Sequence, residues 1–342
     1  MENSLNRVMV TTIVRKAIRD LKTDPDRTVR NLVDMALHFA DSRFQEQFYS
    51  SAQRLLANEK SAYYCLVKET LTKVNEETLL TFGMNIGYNG LYRAAVQIRE
   101  WEANHGYNVP WTIFLTIAEG KLYDRHFQLI DQGEALGIHS WHLFSQNGIH
   151  ECMNLASRYP QSAFVIFCGS HEIDWNVLDC ITELKNVALM VPFDAEADVT
   201  CSLLREAGGL YGLYYTYCSE DLERIENGEL VQEMQQLKPS ICILNAQFPC
   251  DQKLRRRVGA WVAEARLEQG FQTIPWELYS DTMLADEVIS EDPCWAGFDA
   301  YGQLNTENGI CRDAALNIFK NDLQSILKQA FPKRKGMNKS EF

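Results

Sequence analysis

The chain predicts an α/β fold, a (β/α) barrel of the partial six-unit or complete TIM type, with an N-terminal helical segment and a small C-terminal hairpin and helix extension. Three observations predict it. From residue 79 onward short apolar runs alternate with amphipathic stretches, the pattern of a parallel sheet with helical crossovers. Residues 115–148 read as strand, loop, helix, strand and loop: Phe127, Leu129, Ile130, Ala135 and Leu136 recur at a helical period, Gly137 ends the helix, and apolar runs flank it. The successive crossovers all turn the same way, because such connections are right-handed, so the sheet curls.

The elements follow in order. Up to about residue 78 the pattern is helical. Asp24 caps one helix with Pro25 at its first position, and Val29, Leu32, Val33, Ala36 and Leu37 line its face. Phe44, Phe48, Ala52 and Leu55 mark a second helix; Tyr63, Leu66, Val67, Thr70, Leu71 and Val74 mark a third. These stripes are expected to pack on the barrel, the alternative being a docking surface for a partner. Strands are expected at 79–86, 111–117, 138–144, 163–168, 187–191 and 210–217, with helices at 91–105, 125–136, 149–159, 175–184 and 195–207. Strands at 241–248 and 272–278, around a helix at 251–268, would bring the count to eight. The division is 1–78 helical segment, 79–290 barrel and 291–342 C-terminal hairpin, helix and disordered tail.

Length and composition set limits. The 342 residues can bury a full core, and 46% hydrophobic content excludes a disordered chain. A net charge of -13, from 33 basic and 46 acidic residues, argues against nucleic acid as a partner. Arg255, Arg256 and Arg257 read as a solvated helix face, and Lys333, Arg334 and Lys335 as part of the tail. The N-terminus is broken by Arg7, Arg15 and Lys16, and no apolar run approaches the roughly 20 residues of a membrane span. The expectation is a soluble, cytoplasmic protein without a membrane partner. Ten cysteines occur without a single C-x-x-C pair, so no structural zinc is expected, and Cys168, Cys201 and Cys242 read as buried.

One unit carries a resemblance. Strand 111–117 ends in Ile117-Ala118-Glu119-Gly120, and the strand after the helix ends in Gln146-Asn147-Gly148. This resembles the second and third strands of the radical S-adenosylmethionine enzyme barrel, which end in Gly-Gly-Glu-Pro and Thr-Asn-Gly. The resemblance runs from residue 79 to the C-terminus and implies six β/α units, with a C-x-x-x-C-x-x-C loop after the first strand holding an iron–sulfur cluster. Here that loop reads Gly87-Tyr-Asn-Gly-Leu-Tyr-Arg-Ala94, with no cysteine between Cys65 and Cys152. Clusters are held by thiolates, and neither Asn89 nor Tyr92 replaces one, so no cluster, metal or other cofactor is expected. Glu119 stands where the family receives the amino group of S-adenosylmethionine, while Ile117 and Ala118 add Cβ atoms where the family has glycines. The stretch from Cys294 to Leu304 reads as a hairpin turning near Ala300 to Gly302, similar to the Cys-x-Ala-Gly hairpin of auxiliary-cluster domains, with Cys311 beyond it.

Barrel chemistry sits at the C-terminal strand ends, which nominates a pocket of Asn85, Tyr88, Asn89, Glu119, Asn147 and Tyr217. Glu172, Asp194 and Gln247 follow other strands. The catalytic candidates are Glu119, Cys168, His171, Glu277 and Asp281, with Cys168, His171 and Glu172 in one loop as a nucleophile, base and carboxylate. Two functions are weighed. The first is a radical-SAM-like barrel without cluster ligands, acting as a non-redox binding or scaffold protein toward a protein partner or a small polar ligand. The alternative is a cluster-independent barrel enzyme using those carboxylates and the histidine as acid and base. A mouth plugged by Tyr88, Trp141 or Tyr217 would favour the scaffold.

Overall fold

The computed structural model describes residues 2–21, 58, 60–248, 251–290 and 292–333. The helices expected from Asp24 and around Phe44, and the tail after Lys333, lie outside the described residues. Seven strands run parallel in chain order: β1 (Thr112–Ala118), β2 (Ser140–Gln146), β3 (Ala163–Phe167), β4 (Val187–Pro192), β5 (Tyr211–Tyr217), β6 (Ile241–Ala246) and β7 (Ile274–Glu277). Three short strands extend the opposite edge. β8 (Gly297–Phe298) lies parallel to β1, and β9 (Leu304–Thr306) and β10 (Gly309–Ile310) follow antiparallel. The result is one ten-stranded sheet, curled into a partial barrel with flanking helices.

Strand alternation sorts the side chains into two layers. Ile113, Leu115, Ile117, Trp141, Leu143, Ile166 and Tyr217 face outward and pack beneath the helices in the main core. Phe114, Phe144, Phe167, Met190, Tyr214, Ile243 and Trp276 face inward and fill the barrel. The helix Asp124–Leu136 ends at Gly137, whose φ of 104° suits glycine, and Gly133 lets this helix approach the Trp141 ring.

The first expected strand is a helix. Residues 79–86 fall in the helix Glu76–Gly83, which continues in wider π-type turns through Met84–Arg93, where Ala94 N donates to Asn89 O five residues back. Asn75 starts it: its Oδ1 accepts from Glu77 N at 3.0 Å and Thr78 N at 3.4 Å. Leu80 and Met84 lie four apart and bury against Ile18 of the helix Glu2–Leu21, so the apolar run serves a helix face rather than a strand.

This helix closes the end of the barrel where the strands begin. Asn85 Nδ2 donates to Pro160 O at 2.9 Å and Ser162 O at 3.0 Å, and Asn89 Nδ2 donates to Gln161 O at 2.8 Å, all in the loop entering β3. Phe82 packs into the interior cluster from this side. Farther round, Leu66 of the helix Tyr63–Lys73 is buried, Ala62 N donates to Gln269 O at 2.9 Å, and Asn75 N donates to Gly208 O at 2.9 Å.

The C-terminal segment is tied to β1 by one carboxylate. Asp286, fully buried in the helix Leu278–Ile289, accepts from Trp111 N at 2.7 Å and from Cys294 N at 2.6 Å. The tie sets Trp295 on Phe114, with ring centroids 4.0 Å apart and planes 18° apart. Burial pushes the Asp286 carboxyl up to about 7, with the nearby charges of Glu102 and Asp292 adding to the rise. A raised carboxyl stabilises the fold fully below its unfolded value of about 4, and this contribution is lost as pH rises through about 7. Relative to Asp286→Asn, the wild-type chain should therefore lose stability between pH 4 and 7 by up to about 1.4 kcal/mol per pH unit. Urea unfolding of both proteins across that range measures it, and parallel curves would refute it.

Candidate functional site

The loops at the C-terminal ends of β2, β3 and β4 are cross-linked. Ser145 Oγ donates to the Glu172 carboxylate and accepts from Gly148 N at 2.9 Å, while Glu172 Oε1 accepts from Gly169 N at 2.8 Å. Ser170 Oγ donates to Asp194 Oδ1 at 3.2 Å. Asn147 adopts a φ of 56° and sets its Oδ1 3.0 Å from His171 Nε2. Glu119 is exposed beside them, and its backbone N donates to Gln146 O at 3.1 Å.

Cys168 does not meet His171. It faces the outer core, 1% exposed, with Sγ toward Met190 O at 3.8 Å, whereas His171 is exposed and lies over Gly169. Burial pushes the Cys168 thiol well above its usual range, with the Glu172 charge adding to the effect. The expected nucleophile is therefore buried in the outer core while the expected base is exposed on the turn after β3.

Glu277 and Asp281 form a structural pair beyond β7. The Glu277 carboxylate caps the helix Leu278–Ile289, accepting from Ser280 N at 2.6 Å and from Tyr217 Oη at 3.0 Å. Burial raises the Glu277 carboxyl above the usual range, opposed by those hydrogen bonds. Asp281 Oδ2 accepts from Glu277 N at 2.7 Å and from Arg266 at 2.7 Å, and a second bond to Arg266 makes the pair bidentate. These groups are committed to the backbone and to each other.

The expected pocket is divided between the two ends of the barrel. Glu119 and Asn147 lie at the mouth; Asn85, Tyr88 and Asn89 lie at the opposite end, because the residues taken for the first strand are helical, and Tyr88 packs beside Leu80 and Met84. Tyr217 lies in the outer core. Trp141 and Tyr217 face outward, so none of the three aromatic residues considered as plugs fills the mouth. Ile117 also faces the outer core, so only Ala118 of the two substituted glycine positions adds an inward methyl.

The interior is floored instead by a chain of rings: Trp295 on Phe114, Phe144 on Phe167 at 4.6 Å, and Phe167 against Tyr214 at 5.5 Å. By strand alternation Thr116, Gln146, Thr216 and Asn245 stand above these residues and form a neutral polar rim. Alternation within each strand was the sequence signal for that rim. His142 stacks on Phe114 at 4.7 Å with Nδ1 2.8 Å from Thr112 Oγ1. Thr112 spends its hydroxyl proton on Ser140 O at 2.9 Å, so Nδ1 carries the imidazole proton. Burial pushes His142 down to about 3 and keeps it neutral.

Among the described residues no three His, Cys, Asp or Glu are grouped to hold a metal ion, and no helix is long and apolar enough to cross a membrane. No family model matches the chain, and no curated protein does. Solved structures do match. The radical SAM enzyme SuiB of Streptococcus suis bound to S-adenosylmethionine aligns at 12% identity and TM-score 0.50, over 70% of this chain and 68% of that one. SuiB bound to precursor peptide SuiA aligns at 12% identity and TM-score 0.50, over 69% and 68%. The fold is radical-SAM-like.

Two outcomes check these placements. Arg266→Met should strand the buried Asp281 charge and lower unfolding free energy by about 3 to 5 kcal/mol, whereas a loss below 0.5 kcal/mol in urea titration would contradict a structural pair. Brief iodoacetamide treatment of the native chain at pH 8, read by mass spectrometry, should label exposed Cys65 and spare Cys168. Rapid labelling of Cys168 would restore the nucleophile reading.

Proposed function

We propose that this chain is a non-redox binding or scaffold protein, built on a radical-SAM-like barrel that has lost its cluster ligands and offers a small-molecule pocket at its mouth. One observation carries the reading: the residues expected to form the first strand and its cysteine loop are a helix bonded to the opposite end of the barrel. Among the described residues this segment thus leaves no loop at the mouth where the resembled enzymes hold their cluster, which supports the reading.

The buried thiols do not suit a cluster. Cys152, Cys168, Cys201, Cys242 and Cys294 are buried, and burial raises each thiol, which disfavours the thiolate an iron ligand must be. Cys218 follows β5 alone, with its Sγ 3.4 Å from Asp221 Oδ2. S-adenosylmethionine is no better served, since Glu119 is a single exposed carboxylate and such an ion pair contributes only about 0 to 1 kcal/mol.

What the mouth does offer is recognition. Aromatic faces supply contact area and the neutral rim supplies donors and acceptors, the composition of a site for a small polar ligand. SuiB has been seen with a precursor peptide, so a peptide partner is compatible with this architecture. The acid–base alternative keeps only Glu119 and His171 at the mouth, since Glu277 and Asp281 are hydrogen-bonded to the backbone, to Tyr217 and to Arg266.

Anaerobic reconstitution followed by iron and sulfide analysis tests the reading. The expected product is colourless and holds no stoichiometric iron, and calorimetry with millimolar S-adenosylmethionine shows no saturable heat. About four irons per chain, or saturable binding abolished by Glu119→Gln, would overturn it.

A further inference from the structure

Arg255 stands at the mouth with no carboxylate in direct contact among the described residues, although its charge acts on the buried Glu277 carboxyl. It stands in the first turns of the helix Gln252–Glu268, which leaves the C-terminal end of β6, and its backbone N donates to Asp251 O at 3.1 Å. Its guanidinium lies over the Tyr279 ring at 4.3 Å. Its Nε is shut off from solvent with no hydrogen-bond partner, and among the described residues the side chain makes no ion pair. Other arginines of the same helix behave differently. Arg257 grips Glu226 at 2.6 and 2.7 Å, and Arg266 grips Asp281.

The surroundings define what would satisfy it. Tyr279 follows the end of β7 and leads inward: its ring is 5.3 Å from Trp295, which stacks on Phe114 and begins the aromatic floor. A guanidinium is thus fixed by stacking at one end of a continuous aromatic surface. Glu277 and Glu307 are close enough for their charges to act on Tyr279, and Glu307 already accepts from Tyr279 Oη at 2.5 Å. One cation flanked by two carboxylates suits a monoanion better than a doubly charged phosphate.

The geometry points to Arg255 as the anchor of a carboxylate whose aromatic or apolar body lies on Tyr279 and Trp295. This deepens the proposed binding function and rests on it: the polar ligand of the mouth would be a small carboxylic acid held at its charged end. The outer Nη1 and Nη2 edge of the guanidinium can give a carboxylate two parallel N–H bonds. The stacked aromatic faces keep the fork in place before the ligand arrives.

The test uses 3-phenylpropionate and its neutral analogue 3-phenylpropanamide as probes, titrated at millimolar concentration into the full chain at pH 7. The acid should bind saturably and the amide at least about tenfold more weakly, the discrimination expected of a charge-assisted hydrogen bond. Arg255→Met should reduce the acid to the affinity of the amide and leave the amide unchanged, and Arg255→Lys should retain an intermediate preference. Equal binding of acid and amide by the wild-type chain would overturn the anchor while leaving the pocket in place, and this comparison needs no variant to fold. Binding of neither probe would overturn both the anchor and the small-molecule pocket, while the iron analysis would still decide the loss of the cluster ligands separately.

Discussion

One buried carboxylate secures the β1 edge of this partial barrel. With no strand before it among the described residues, β1 would leave an edge open on one side, and exposed edges invite unwanted pairing. Asp286 removes that edge by holding Trp111 at the entry to β1 and Cys294 at the start of the C-terminal segment, through two backbone hydrogen bonds. The segment then delivers Trp295 onto Phe114, lets Phe114 N donate to Ala296 O at 3.1 Å, and pairs β8 with Phe114 and Leu115. The aromatic stack contributes about 0.5 to 1.5 kcal/mol beyond its burial. The floor of the mouth, with Tyr279 and Trp295 in register, depends on the same tie.

Most of the sheet was legible because its strands are buried on both sides and bounded by turn residues. The unit from β1 to β2 was read with boundaries within two residues, since a helical period, a terminal glycine and two apolar runs agree there. Residues 79–86 failed for a physical reason. A short apolar run fits a buried strand and a buried helix equally, and only flanking chemistry separates them. That chemistry was present: Asn75 followed by Glu76 and Glu77 is a helix start, with acidic side chains at the positive end of the dipole. At the far end, β10 has two residues, too few to carry any period.

The site was less legible, because spacing along a chain does not say which way side chains face. Cys168 and His171 are three apart, yet one ends a strand facing outward and the other belongs to the turn after it. Glu277 and Asp281 were chosen as carboxylates at the end of a strand. Their four-residue separation instead reflects a helix start, with one as the cap and the other bonded back to it. Asn85 and Asn89 were expected at the mouth because their segment was expected to be a strand, and the error in the element carried the residues to the other end of the barrel.

Most carboxylates beside the strand ends are spent on the backbone of the loops and helices that follow. Glu172 accepts from Gly169 N and Ser145, and Asp194 from Ser170 and Glu196 N. Asp221 accepts from Cys218 N and Tyr215, and Glu277 from Ser280 N and Tyr217. Each fixes the loop or helix that leaves its strand. A carboxylate that accepted a substrate proton would weaken the bonds that shape its own loop, so turnover would loosen the site at the moment its geometry mattered. Neutral groups carry no such conflict. The rim of Thr116, Gln146, Thr216 and Asn245 can exchange hydrogen bonds with a ligand while the carboxylates behind it hold the loops in place.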